Sequence, residues 1–513
     1  EKPKGQADFH ILHDVGAIQE NDAQQGLAHF LEHMAFNGTK NLPGKQMIEY
    51  LEKVGVKFGA NLNAGTSWDM TSYMMKDVPT SREGIIDSAL LILHDWSHFI
   101  ALQPEEIDSE RGVIMEELRT RDGASWRSTM KLLQALGKGT KYERRNLIGY
   151  LDGLKNFRHK ELEDFYKQWY RPDYQAVIVV GDIDVDAIES KIKTLMADIP
   201  APAAGAPQKE TIEVPDNEEP IVSIYTDPEM QGTKVQLFIK RPALPEQLAN
   251  TVLAEANNVI EAYMTTMENA RLQEIAMQPD APFLGAGMGT GDVIGIIPTL
   301  DATVFVAMTE DGKLARGFET LYTEMEKVRR YGFTQGEFER AQENLMRQAE
   351  RSYANRNDRR NNEFVQTYLN NYQKNQPMPD AETEWQLDSM LIKMLNVDAV
   401  NAFPAQHGQA LWRTKIAALA GARPKADGGA VQSQLQKLLQ QCHSNPSCPL
   451  QCSISFRLRP WGKGGKMGKK REGEEAACIS PICISTPNTP GPPARSWSRS
   501  RWMPGPEGRA SAW

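Results

Sequence analysis

The chain has 513 residues, too many for one ordinary hydrophobic core, so two or more domains are expected. With 40% apolar and 24% charged residues it has the composition of a globular protein, and no apolar run approaches the about 20 residues of a membrane-spanning helix. A formal net charge of −9 argues against nucleic acid as a partner, because a phosphate backbone is met by basic surfaces.

The chain starts at Glu1 and opens almost directly into the strand-like "ADFHILHDVGAI", so it reads as a chain whose start is missing, and the lack of a targeting segment says nothing about compartment. "NLPGKQMIEYLEKVG" predicts a helix with apolar residues at 47, 48, 51 and 54, stopped by Gly55. "KFGANLNAGTSWDMTSYMMKDV" predicts two strands around a turn near Trp68 and Asp69. "SREGIIDSALLILHDWSHFI" and "QPEEIDSERGVIMEELRTR" predict helices, the second with Pro104 in its first turn and acids at its N-terminus. "HKELEDFYKQWY" predicts another helix, leading into the apolar strand "YQAVIVVGDID". Helices mixed with paired strands point to α+β sandwiches.

A Pro-, Ala- and acid-rich linker follows at 199–220, and then the same grammar restarts. Strands "IVSIYT", "KVQLFIKR" and "ATVFVAMTEDG" alternate with helices at 246–278, "LARGFETLYTEMEKVRRYG" and "TQGEFERAQENLMRQAERSYANR". The repetition predicts an internal duplication. The second copy is expected to lack its end, because the helix at "NVDAVNAF" is followed by no apolar strand like the one ending at Gly181. Beyond it the composition flips to Pro, Ser, Gly, Arg, Trp and Cys. All five cysteines lie there, from Cys442 onward, so the body needs no disulfides and suits a reducing or an oxidising compartment. The expected organisation is a first domain at 1–200, a linker at 201–220, a second domain at 221–405 and a low-order tail at 406–513, the tail reading as a frameshifted or artificial C-terminus in preference to a natural disordered one, because Trp and Cys are unusual in such tails.

The chemistry concentrates in "GLAHFLEHMAFNG", residues 26–38, where His29, Glu32 and His33 interrupt an apolar run. His29 and His33 are four apart and so share a helix face, with Glu32 beside them, in the order H-x-x-E-H. The bland reading is a helix burying Leu27, Phe30, Leu31 and Met34 with its polar residues in water. The chemical reading is a hydrolytic zinc site: two imidazoles, a third ligand from elsewhere (a carboxylate on another helix being the natural candidate), and Glu32 to take a proton from water. A pattern this short arises by chance in about one chain in a hundred of this length, so its surroundings decide.

Those surroundings, "HFLEHMAFNGT", "GVKFGANLNAGTSWDMTSY" and "EEIDSERGVIMEELR" in that order, resemble the pitrilysin/insulysin family of zinc peptidases, over residues of about 5 to 403. The resemblance is to long bacterial members with four repeated domains, of which this chain would be the catalytic half. It implies two similar α/β sandwich domains, one Zn²⁺ per chain and Glu32 as the general base. The family's third ligand follows the second histidine after 76 residues, which implies His29, His33 and Glu110 as ligands. Many members carry an acid seven residues before that ligand, supporting a zinc histidine; here that position is Gln103, and Glu117, two turns after Glu110, is a second candidate for the role. The stretch 60–67 resembles the family's substrate-binding edge strand, with Asn61, Asn63 and Ala64 bordering the scissile bond.

The resulting expectation is a zinc metalloendopeptidase acting on short or unfolded polypeptides, with a peptide as substrate and a complementary C-terminal half or homologous subunit as partner. The alternative is a non-catalytic or half-enzyme subunit of the same fold. Resemblance to the bacterial enzymes implies the periplasm or cell envelope. His94 and His98, also four apart, show no third ligand and are expected to be structural. "GAGMGTG", 285–291, matches no nucleotide fingerprint and is expected as a loop or strand end, and Cys442, His443, Cys448 and Cys452 fit no standard metal site.

Overall fold

The computed structural model describes residues 3–292, 295–406 and 416–421. The first sheet comprises β1 (Gln6–His13), β2 (Leu62–Thr66), β3 (Thr71–Pro79) and β4 (Gln175–Gly181), in the order β2-β3-β1-β4 with every pairing antiparallel. Helices α1 (Leu27–Met34), α2 (Ile85–His98), α3 (Pro104–Arg121), α4 (Ala124–Leu136) and α5 (His159–Trp169) accompany it. Phe9 and Ile11 of β1, Trp96 of α2 and Phe165 of α5 are fully buried in one core.

The second sheet comprises β5 (Ile221–Thr226), β6 (Thr233–Pro242), β7 (Gly285–Gly291), β8 (Leu300–Thr309) and β9 (Ile416–Gly421), in the order β7-β8-β6-β9-β5. Its helices are α6 (Val252–Ala276), α7 (Leu314–Tyr331), α8 (Gln335–Ala354), α9 (Asn361–Lys374) and α10 (Val397–Gln406). Strands β7-β8-β6-β9 repeat the order and antiparallel pairing of β2-β3-β1-β4, so the molecule is α+β with two similar sandwich domains. Between the helix Val185–Leu195, with the short 3₁₀ turn after it, and β5, residues 199–220 carry no helix or strand.

The expectation that the second copy lacks its closing strand is wrong. β9 pairs antiparallel with β6 and parallel with β5, in the place that β4 holds beside β1. Its sequence, IAALAG, is half alanine, a weak strand former, and ends in glycine, so it carries little local signal. A central strand covered on both faces needs only a continuous apolar run, and Ile416 through Ala420 are all buried. The second domain therefore extends past residue 405 to at least Gly421. The other expectations for 406–513, including the cysteines and the shifted frame, lie outside the described residues.

The glycine-rich 285–291 is a full edge strand, β7. Its pairing with β8 supplies order that its side chains cannot, and Asn269 of α6 clamps Met288 by accepting from its N–H (2.7 Å) and donating to its carbonyl (3.1 Å).

The two sandwiches exchange helices. α4 of the first packs on β5 and β9 of the second, and α9 of the second packs on β1 and β4 of the first. That exchange buries the outward face of β1, including Asp8 and His10. It also builds a shared core in which Trp68 and Leu133 meet Phe238 and Ile416.

One buried group in the second sandwich has a measurable consequence. Glu268 on α6 is fully buried, neither carboxylate oxygen accepts a hydrogen bond, and the nearest cation, Arg271, is 4.0 Å away. Burial pushes its pKa up to about 8, Arg271 opposing and Glu324 adding to the rise. A carboxyl raised in the folded state stabilises fully below its unfolded value near 4.5, and that contribution is lost as pH rises through about 8. Glu268→Gln stays neutral, so its melting temperature relative to wild type should climb by a few degrees between pH 5 and pH 9, on the order of a few kcal/mol. A pH-independent difference in thermal unfolding would contradict this.

Candidate metal centre

Helix α1 is short and buried almost all round, so its N-terminus cannot be capped by water. Gly26 takes the N-cap position at φ +92°, where an added Cβ would meet the Ile148 carbonyl oxygen at 2.4 Å; only glycine fits. Having no side chain, it leaves the cap to Glu20, which accepts from the N–H groups of Gly26 (3.1 Å) and Ala28 (2.9 Å). Burial pushes Glu20 up to about 8, although these N–H groups and Arg145 oppose the rise. Arg145, itself buried, donates to the Glu20 carbonyl at 2.8 Å and fixes the segment ahead of the helix.

Helix α3 runs opposite, with Pro104, Glu105 and Glu106 in its first turn and Arg119 and Arg121 in its last. Glu110 and Glu117 are seven apart and face α1 together. Glu117 Oε2 lies 3.1 Å from His33 Nε2, and Glu117 Oε1 lies 3.6 Å from His29 Nε2. The two imidazole rings are 4.8 Å apart between centroids. Donor atoms of His29, His33 and Glu117 all lie within 4.8 Å of one another, and no other such group of three occurs among the described residues.

The expected third ligand, Glu110, does not join this group. Its Oε1 is 2.8 Å from the other ring nitrogen of His33, Nδ1, and its Oε2 accepts from Asn37 Nδ2 at 2.6 Å, with Lys45 bonded in turn to Asn37 Oδ1. Glu117 thus stands where the donor was expected, and Glu110, seven residues earlier, stands where the supporting acid was expected. Gln103 is exposed at the N-cap of α3 and hydrogen-bonds neither histidine among the described residues. The reason is geometric: seven residues advance a helix by about 10 Å along its axis with almost no rotation, so either acid could point the right way, and only the longitudinal position of α3 decides.

The donors fit a tetrahedral cation. Two imidazole nitrogens and a carboxylate oxygen are zinc's usual catalytic set, and bonds of about 2.0–2.1 Å place tetrahedral donors about 3.3 Å apart. The two Glu117 oxygens lie close to that spacing, Oε2 at 3.1 Å from His33 Nε2 and Oε1 at 3.6 Å from His29 Nε2. The electrostatics favour positive charge. Burial alone would lower His33, but its bonds to Glu110 and Glu117 lift it to about 9. Glu117 is held far below the usual carboxylate range by its contacts with His29 and then His33, while Glu110 is lowered by His33 and Asn37 against the effect of burial. His29 Nδ1 is buried with no hydrogen-bond partner.

Glu32, 9% exposed, sits between the histidines in sequence and accepts a 2.6 Å hydrogen bond from Thr66 Oγ1 on β2. Thr66 is absent from the sequence-derived site, although its place at the end of the Asn-rich strand is a signal in retrospect. Among the described residues β2 pairs as a strand with β3 alone, and its other edge carries an isolated bridge between Leu62 and Phe58, which leaves that edge open toward Thr66. Lys76 N–H donates to the Asn61 carbonyl and Ser67 N–H to the Met70 carbonyl, which sets the alternation. Asn61, Asn63 and Gly65 turn their backbone groups to β3, whereas Leu62, Ala64 and Thr66 turn theirs to the free edge. Of the three expected substrate-bordering residues, Ala64 alone offers edge backbone. Asn61 is tied to Asp77 (3.3 Å), and Asn63 Oδ1 accepts from the Ala64 N–H at 2.9 Å.

His94 and His98 lie apart from this centre. His94 bonds Asp95 (3.1 Å) and Asp198 (2.7 Å), and His98 bonds the Tyr170 carbonyl (3.0 Å).

Comparison with known proteins bears on the whole arrangement. The family profile described as Insulinase (Peptidase family M16) matches residues 1–147, and that described as Peptidase M16 inactive domain matches residues 156–280. The chain is 27% identical over 398 residues to the Probable zinc protease PqqL of Escherichia coli (strain K12), covering 78% of this chain and 42% of that protein. It is 29% identical over 347 residues to the Probable zinc protease PqqL of Haemophilus influenzae, covering 66% of this chain and 36% of that one. It thus spans less than half the length of these relatives. In fold it is similar to the crystal structure of the first half of the periplasmic protease PqqL from Escherichia coli, with a TM-score of 0.77 at 24% identity over 87% of this chain and 93% of that one. An inverted H-x-x-E-H helix, duplicated sandwiches and two adjoining profile matches agree: the chain belongs to the insulinase/pitrilysin family of peptidases, family M16.

Proposed function

We propose that the chain carries the catalytic domain of a zinc metalloendopeptidase that hydrolyses short or unfolded polypeptides. The observation that carries this reading is the convergence of His29, His33 and Glu117, with Glu32 beside them and the free edge of β2 at hand. His29 and His33 would hold the ion through Nε2 and Glu117 through its carboxylate, while Glu110 orients the His33 ring from behind. Bound there, zinc supplies Lewis acidity, lowering the pKa of water and polarising a peptide carbonyl. Glu32 takes the proton of the attacking water and returns it to the leaving nitrogen. The edge of β2 aligns an extended peptide by strand addition, which suits flexible chains and excludes folded ones.

The test is Glu32→Gln. It keeps shape and hydrogen bonding but removes the base, so zinc content should stay at one per chain while peptide hydrolysis falls about a hundredfold or more. A Glu32→Gln protein as fast as wild type on a quenched peptide would reject the mechanism.

A second reading has an observation of its own. The relatives are more than twice the matched length, and α6 of the second sandwich carries no histidine. The chain then acts as a half-enzyme that needs a complementary half or a homologous subunit for full activity. The likeness to the periplasmic protease PqqL of Escherichia coli supports the periplasm or cell envelope as the compartment.

A further inference from the structure

We propose that Thr66 is a positioning residue that couples the docking of substrate on β2 to the orientation of the Glu32 carboxylate; this rests on reading Glu32 as the base.

At 2.6 Å, the bond from Thr66 Oγ1 to Glu32 Oε2 is a short O–H···O hydrogen bond. It is the side-chain hydrogen bond that fixes Glu32; among the described residues no other group bonds that carboxylate. A base that must meet one water in one direction gains from having one oxygen held and the other left for the proton.

The strand register gives the same residue a second role. Three positions of β2 face its free edge, and two are already engaged. Leu62 donates to the Lys57 carbonyl (3.0 Å) and accepts from the Gly59 N–H (2.8 Å), and the Ala64 N–H is held by Asn63 Oδ1. Thr66 makes no such backbone bond among the described residues, so its N–H and carbonyl are the open edge position nearest Glu32. A peptide added to this edge bonds the Thr66 backbone while the Thr66 side chain holds the base. The strand end cannot drift, because the carbonyls of Ser67 and Trp68 accept from Ala17 (3.1 Å) and Ile18 (2.7 Å). The branched Cβ limits χ1, which keeps Oγ1 aimed at Glu32.

The plain alternative is that Thr66 is a strand residue whose hydroxyl happens to lie near a carboxylate. Four variants of the zinc-loaded chain separate the two: Thr66→Val, Thr66→Ser, Glu32→Gln and the double Thr66→Val/Glu32→Gln. Single-turnover hydrolysis of a quenched flexible peptide, with protein in excess, gives the maximal rate and the half-saturating concentration separately. We expect Thr66→Val to lower the maximal rate about tenfold to a hundredfold, with half-saturation and zinc content within twofold of wild type. Thr66→Ser should recover most of the rate, and Thr66→Val should cost nothing further in the Glu32→Gln background. An unchanged rate in Thr66→Val, a loss confined to half-saturation, or a serine variant no better than valine would each overturn the proposal.

If wild type cleaves no peptide by itself or with the complementary length of a relative supplied, the peptidase reading falls, and thermal unfolding of the same four proteins decides the Thr66–Glu32 link by itself. Melting shifts that fail to add would uphold the Thr66–Glu32 link, and strictly additive shifts would refute it.

Discussion

Glu117→Gln should weaken zinc binding by roughly three orders of magnitude, whereas Glu110→Gln should weaken it about tenfold to a hundredfold. The difference follows from what each carboxylate touches. Glu117 presents its oxygens to Nε2 of both histidines, so its loss removes a donor and leaves the pair incomplete. Glu110 reaches His33 through Nδ1, the nitrogen that faces away, so its loss frees the ring to rotate and lowers its basicity without emptying a coordination position. Gln103→Ala should change nothing, since that side chain is exposed at the helix N-cap. Competition against a chelator at fixed pH measures all three. If Glu110→Gln proved the more damaging of the two, the ligand assignment would revert to Glu110, with Glu117 as its support.

The residues show why this distinction was out of reach of the sequence. His29 and His33 are legible because four residues on a helix fix both rotation and rise, and the pair lies within a single turn. Glu110 and Glu117 lie two turns apart on another helix, with the same rotation and a different height. Their choice depends on how far α3 slides along α1, a tertiary quantity with no local signature. β9 was illegible for a related reason. Its alanines have little strand preference, and burial between β5 and β6 makes them a strand. The alternation of β2 was legible, but its register was not, because a shift of one residue exchanges the edge-facing set with the paired set. The expected set Asn61, Asn63 and Ala64 accordingly mixes two β3-paired positions with one edge-facing position and omits Thr66.

The last expectation concerns rate. The two-sandwich chain should bind zinc and yet turn over flexible peptides about a hundredfold to a thousandfold more slowly than when the length by which its relatives exceed it is supplied, fused or as a separate chain. The similarity covers 93% of the first-half crystal chain of PqqL but 49% of the longer PqqL chain, so the match accounts for about half of that architecture. Within this chain the donors and the edge strand leave the centre partly open, with the His33 and Glu117 side chains each about one-fifth exposed. Around them, the side-chain hydrogen bonds formed in this chain hold Glu110 and Glu32 in place. The size expected is that of one oxyanion donor supplied by the added length, since removing one such donor from a hydrolase costs about a hundredfold to a thousandfold. An open centre also leaves substrate pinned along one edge only, which forfeits part of the gain from fixed orientation. Exposed apolar residues on the second sandwich, Val252 at 58% and Leu253 at 66%, suit a covered surface and should make the isolated chain self-associate. Quenched-peptide kinetics with and without the added half, at matched zinc content, measure the difference. Equal rates would show that two sandwiches suffice, and that the remaining length of the relatives serves capture or selection of substrate and not the bond-breaking step.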